Sequence, residues 1–77
     1  MLLPANELEK DHRIDCYLRG WSAYDPEAGV YLLRSSVNRK SGRPSHYILH
    51  IDDENARVIS ARDDAEALQK AWKILEG

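Results

Sequence analysis

One cysteine in 77 residues, Cys16, has nothing within the chain to pair with. That excludes an intramolecular disulfide, argues against the secreted, disulfide-stapled class, and fits a reducing cytosol. No window approaches about 18 consecutive apolar residues, so neither a transmembrane helix nor a membrane partner is expected. The start, MLLPANELEK, has two leucines and then proline and acids, without the basic stretch and apolar run of a signal peptide. The expected location is cytoplasmic, and the opening Met with the closing Leu75-Glu76-Gly77 reads as a complete small protein. A strong charge is missing too: the formal net charge of −2 lacks the basic balance of an electrostatic nucleic-acid binder. Internal repeats and low-complexity segments are absent.

What remains is one small globular domain spanning residues 1–77, 43% hydrophobic and 31% charged. A chain this short suits a binding surface better than a deep catalytic cleft. It is organised around residues 29–51, GVYLLRSSVNRKSGRPSHYILHI, which read as two strands and a basic loop. Residues 30–37 form the first, with Val30, Leu32 and Arg34 on one side and Tyr31, Leu33 and Val37 on the other. Residues 46–51 form the next, with Tyr47, Leu49 and Ile51 opposed to His46, Ile48 and His50.

Around that hairpin, residues 14–24 alternate Ile14, Cys16 and Leu18 with polar neighbours and predict a strand, with a break or bulge at Gly20. Asp25, Pro26 and Gly29 supply a turn. Residues 52–55 are an acidic turn in which Asn55 tolerates the left-handed conformation, and residues 56–59 are a short edge strand. The last helix starts at a Ser60 N-cap, with Asp63 three residues on. Its stripe is Ala61, Ala65, Leu68, Trp72 and Leu75, widened by Ala71 and Ile74. Pro4 can begin a short helix through Asn6, Glu7, Leu8 and Lys10, docked by Leu2, Leu3 and Leu8. The expected fold is α+β: a four-stranded antiparallel β-meander, one C-terminal helix on a face, and a short N-terminal helix as an option.

Several chemistries are disfavoured. His46 and His50 share a strand face, but four residues along a strand span about 13 Å, too far for two ligands of one ion. Cys16 sits on an apolar face, so no metal and no cofactor is expected. Ser35, Ser36 and Cys16 lack any nucleophile motif, and the pairs Asp52-Asp53 and Asp63-Asp64 are explained by turns and caps, so no enzymatic activity is expected. More informative is a segregation of charge. Residues 34–50 hold Arg34, Arg39, Lys40 and Arg43 without an acid, whereas residues 52–66 hold six acids against Arg57 and Arg62.

The segment GVYLLRSS resembles the SH2-domain strand G-x-[Phe/Tyr]-Leu-x-Arg-x-Ser, and HYILHI resembles the strand after it. By that likeness Arg34 would grip phosphotyrosine and Ser36 would donate to the phosphate. The likeness covers residues 29–51, with a longer loop before Tyr47 and no counterpart expected for the helix that precedes this strand in the family. Strands followed by a charged helix also resemble double-stranded-RNA-binding domains, but Asp63 and Asp64 stand where that family needs lysines. The reading is a non-catalytic protein-binding module or inhibitor, similar in type to phage and mobile-element accessory proteins. Its partner is expected to be a protein, met by aromatic residues Trp21 and Tyr31 within a cluster that includes Tyr17 and Tyr24. The alternative is a nucleic-acid-binding regulator using Arg39, Lys40 and Arg43; an SH2-like phosphopeptide reader using Arg34 is third. An uncovered sheet face also makes a homodimer an option.

Overall fold

The patterned hairpin is the centre of a sheet. In a computed structural model, which describes residues 1–37 and 39–77, β3 (Val30–Val37) pairs antiparallel with β4 (Pro44–Asp52), and β4 with β5 (Asn55–Ser60). Leu32 lies opposite Leu49 and Leu33 opposite Ile48. Asn38, the first residue of the expected 38–45 loop, lies outside the described residues, and the strand resumes two residues earlier than expected, at Pro44. On the other side of β3 comes β2 (Trp21–Asp25), then a two-residue β1 (Leu3–Pro4). Among the described residues the sheet therefore has five strands in sequence order, not four. The added strand is an edge, where a proline is tolerated.

The main correction is at residues 14–24. Residues Lys10–Arg19 form a helix, α1, and only Trp21–Asp25 is strand. Ile14, Cys16 and Leu18 do alternate, but Ile14, Tyr17 and Leu18 also fall at helical spacing, as do His12, Cys16 and Arg19. Gly20 decides between the two periods. It takes the left-handed conformation, φ 74°, and donates its N–H to the Cys16 carbonyl, which ends a helix. The bulge falls at Ser22, where the register with β3 shifts, and the Ser22 hydroxyl donates to the Leu32 carbonyl at 3.3 Å. Upstream, the expected short helix is a 3-10 turn, Ala5–Glu7, between β1 and α1.

Both tight turns rest on aspartate. Asp25 Oδ1 accepts from the N–H groups of Glu27 and Ala28, and Gly29 closes the turn at φ 73° with a 2.8 Å bond to the Asp25 carbonyl. Asp52 Oδ1 accepts from the N–H groups of Glu54 and Asn55. Asn55 does not use its left-handed tolerance; its side-chain amide bonds the Asp52 carboxylate instead.

Helix α2 (Asp64–Glu76) begins later than expected. Ser60 belongs to β5, and Ala61 still donates to the Ser45 carbonyl. The cap is Asp63, which accepts from Glu66 N–H at 2.8 Å, while Glu66 reaches back to Arg62 N–H at 3.1 Å. Asp-x-x-Glu thus makes a variant of the capping box one turn downstream, with Glu66 accepting from the residue before the cap. The buried stripe is Ala67, Leu68 and Ala71, with Trp72 and Ile74 half-buried; Ala65 and Leu75 face outward. The stripe packs on Ala23, Leu32, Tyr47, Leu49 and Ile59. Leu2 joins this core, and Trp72 Nε1 donates to the Leu2 carbonyl at 2.7 Å, holding the N-terminal arm down.

Leu68, 6% exposed, and Leu75, 39% exposed, are therefore unequal. Leu68→Ala should cost about 2–5 kcal/mol in urea denaturation, and Trp72→Ala a comparable amount. Leu75→Ala should cost under about 1 kcal/mol. Equal losses at the two leucines would mean that α2 docks on another face.

Candidate functional site

Alternation gives the sheet two faces, and α2 covers one. On the other, Trp21, Leu33, Ile48 and Val58 form one cross-strand row, and Tyr24, Tyr31, His50 and Ala56 the next. The rings of these rows stack. Trp21 and Tyr31 lie 4.2 Å apart at 14°, and Tyr31 and His50 lie 4.5 Å apart at 9°. Tyr24 tilts against Trp21 at 4.8 Å, and the Arg19 guanidinium sits 5.1 Å from the indole centroid. Tyr31 is thus enclosed by β2 and β4 neighbours, so the rings present edges outward and few free π-faces.

Helix α1 borders this face. His12 meets Tyr24 edge-on at 5.8 Å, Arg19 meets Trp21, and Cys16 between them is fully buried. His12, Cys16 and Arg19 form the inward side. Ile14, Tyr17 and Leu18 project from the opposite side of the helix and are 47, 86 and 73% exposed. Of the expected aromatic cluster, Trp21, Tyr24 and Tyr31 come together with each other, while Tyr17 stands away from them on this stripe. The strand expected over residues 14–24 put Ile14 and Leu18 on its apolar face, whereas α1 turns both outward. The spacings of three and four residues from Ile14 to Tyr17 and Leu18 are the signal for an exposed helical stripe.

Arg34 lies on the covered face. Its Nε and Nη2 donate to Asp64 Oδ1 and Oδ2 at 3.2 and 2.7 Å, and the Tyr47 hydroxyl donates to Oδ1 at 2.6 Å. Burial and the bond to Asp64 push the Tyr47 phenol well above its usual range. Burial alone would raise Asp64, but the hydrogen bonds from Arg34 and Tyr47 outweigh it and hold the carboxyl below the ordinary range. A phosphate at Arg34 would have to displace this carboxylate. Ser36 is exposed two residues on, and the helix preceding β3 is separated from it by β2.

Arg39, Lys40 and Arg43 are exposed where β3 turns into β4, about 20 Å along the strand from Tyr31. Beside them a shallow cleft of about 430 Å³ is lined by Arg43, Arg62, Glu66 and Lys70. Glu66 pairs with both Arg62, at 3.1 Å, and Lys70, at 3.6 Å. The basic loop and the aromatic face are therefore separate surfaces. His46 is exposed beside Ser45, and His50 is taken up by the ring stack.

Because the Asp64 pKa is lowered by folding, its charge stabilises the fold above the ordinary carboxylate value of 3.8, and that contribution is lost as pH falls through the lowered one. Asp64→Asn should therefore be less stable than wild type at neutral pH, with the difference closing on acidification below about 3.8. Urea midpoints across that range test this; a difference constant with pH would mean the charge is not what holds Arg34 and Tyr47.

In comparisons with known proteins, no family model, curated protein or solved structure matches this chain, so its function has to be read from its own residues.

Proposed function

We propose that this chain is a small, non-catalytic protein-binding module that works by occupying a surface of another protein. The observation that carries the reading is the apolar stripe Ile14–Tyr17–Leu18 on α1, exposed and directed away from the body, beside the ring-edged sheet face of Trp21 and Tyr31. A helix this short gains little from projecting three large apolar groups into water. Such groups are the usual anchors of a protein interface, where a few aromatic and aliphatic side chains carry most of the affinity. The stack supports a protein over a nucleic acid here, because rings packed on one another offer few faces for a base. An inhibitor of the accessory type would act through this surface by masking its target.

The nucleic-acid reading rests on Arg39, Lys40 and Arg43 at the far end of the sheet. Arg62 and Lys70 nearby are partly neutralised by Glu66, which weakens a phosphate site. Phosphopeptide recognition competes with the Asp64 contact at Arg34.

Affinity capture from a native lysate should separate these readings, with three baits compared. A protein retained by wild type, and by a variant with Arg39, Lys40 and Arg43 reversed in charge, should be lost from Tyr17→Ala/Leu18→Asp. Titration of the captured partner should show at least about a tenfold loss for Tyr17→Ala alone. Capture that depends on the basic loop, falls steeply with salt and survives the α1 changes would overturn the proposal in favour of nucleic acid.

A further inference from the structure

The chain has six serines and no threonine. Five of them, Ser22, Ser35, Ser36, Ser45 and Ser60, lie in strands β2 to β5, where their backbone belongs to the sheet. Ser41 alone stands outside, exposed in the turn between β3 and β4. Its chain neighbours are basic on both sides, Arg39 and Lys40 before it and Arg43 after Gly42. Gly42 has φ 69°, and the Arg43 N–H donates to Ser41 Oγ at 3.2 Å. Ser41 also lines the cleft of about 430 Å³ beside α2, where Arg43, Arg62 and Lys70 are the cations and Glu66 the acid. Glu66 holds Arg62 and Lys70, whereas Arg43 pairs with no acid among the described residues.

We propose that Ser41 is a phosphorylation site for a serine kinase with an acidic substrate groove, and that the cleft beside it receives the phosphate. Bases before and after a serine are what such a groove selects, through a charge complementarity that a nearby acid would spoil. No acid occurs between residues 34 and 50. The kinase transfers the γ-phosphoryl group of ATP. The Oγ–P bond forms as the bond to ADP breaks, and the hydroxyl proton passes to the kinase's carboxylate. The product is a phosphate ester of about −2 charge at a cleft that holds three cations. Glu66 makes that cleft weak for a free phosphate. A phosphate carried on Ser41 is tethered there, at an effective concentration on the order of millimolar, and competes with Glu66 for Arg62 and Lys70. The turn is thereby drawn towards the start of α2, and Arg39, Lys40 and Arg43 share their loop with a dianion. Phosphorylation thus removes the positive excess at this end of the molecule. The site lies apart from the α1 stripe and needs no partner there.

The purified chain, incubated with the catalytic domain of such a kinase and ATP-magnesium, should gain one phosphoryl group, and fragmentation mass spectrometry should place it on Ser41. Ser41→Ala should take none, and Arg39→Glu/Lys40→Glu should slow transfer at least about tenfold. Phosphorus NMR of the product then reads the cleft. The second ionisation of the phosphoserine should fall about one unit below its ordinary value of about 6, because Arg43, Arg62 and Lys70 favour the dianion. Arg62→Gln/Lys70→Gln changes two exposed side chains and should remove most of that shift while leaving transfer to Ser41 intact. Absence of transfer, or transfer to a different serine, would overturn the site. An ionisation at about 6 in the wild type, or a shift indifferent to Arg62 and Lys70, would overturn the receiving cleft.

Discussion

One carboxylate joins the two layers of this fold. Asp64 is the first residue of α2, and it takes two bonds from Arg34 on β3 and one from Tyr47 on β4. A surface ion pair alone contributes little, but this one is bidentate and shares its carboxylate with a phenol whose ring is in the core. It therefore sets the rotation of α2 more than it sets total stability. With residue 64 facing the sheet, residues 67, 68 and 71 must face it too. Two of those three are alanines, so the helix lies close to the strands and the larger Leu68 and Trp72 fill the space beside it. The same contact commits the most suggestive arginine of the sequence to architecture.

The arrangement leaves the molecule asymmetric. All of α2 goes to one face of the sheet, while α1 stays at the margin of the other and contributes a single fully buried side chain, Cys16. Large apolar groups therefore remain on α1, at the ring edges and on β5. Charge is divided along the strands, acids at the β4–β5 turn and bases at the β3–β4 end. Two surfaces of different chemistry, one an apolar helix face and one a basic loop, therefore sit on a chain of 77 residues.

The central hairpins were legible because alternation and turn chemistry agree there. Leu32, Tyr47 and Leu49 face the core as their parity demands, and Asp25 and Gly29 close the turn between β2 and β3. Helix α1 was not legible as a helix, because Ile14, Cys16 and Leu18 satisfy a period of two while the same stretch satisfies 3.6. Only the Gly20 cap breaks the tie, and a glycine reads equally as a bulge. The start of α2 was misplaced for a similar reason: Ser60 and Asp63 both make good caps, and continued pairing of Ala61 with Ser45 favours the later one. Of the candidate site, Trp21 and Tyr31 could be found from the sequence, but their mutual stacking could not, since it depends on the register shift at Ser22. The partner of Arg34 lies 30 residues away and follows from no local pattern.

The buried thiol of Cys16 makes the docking of α1 a separately observable event. Its side chain is 0% exposed, and burial, with Asp15 beside it, keeps the thiol protonated beyond its usual range. A thiol reagent can reach it only when α1 lifts from β2. Because α1 packs at the margin of the sheet and fully buries only this one side chain, lifting it need not require the sheet to unfold. The labelling rate of a single atom thus times the undocking of the helix whose far side carries the apolar stripe.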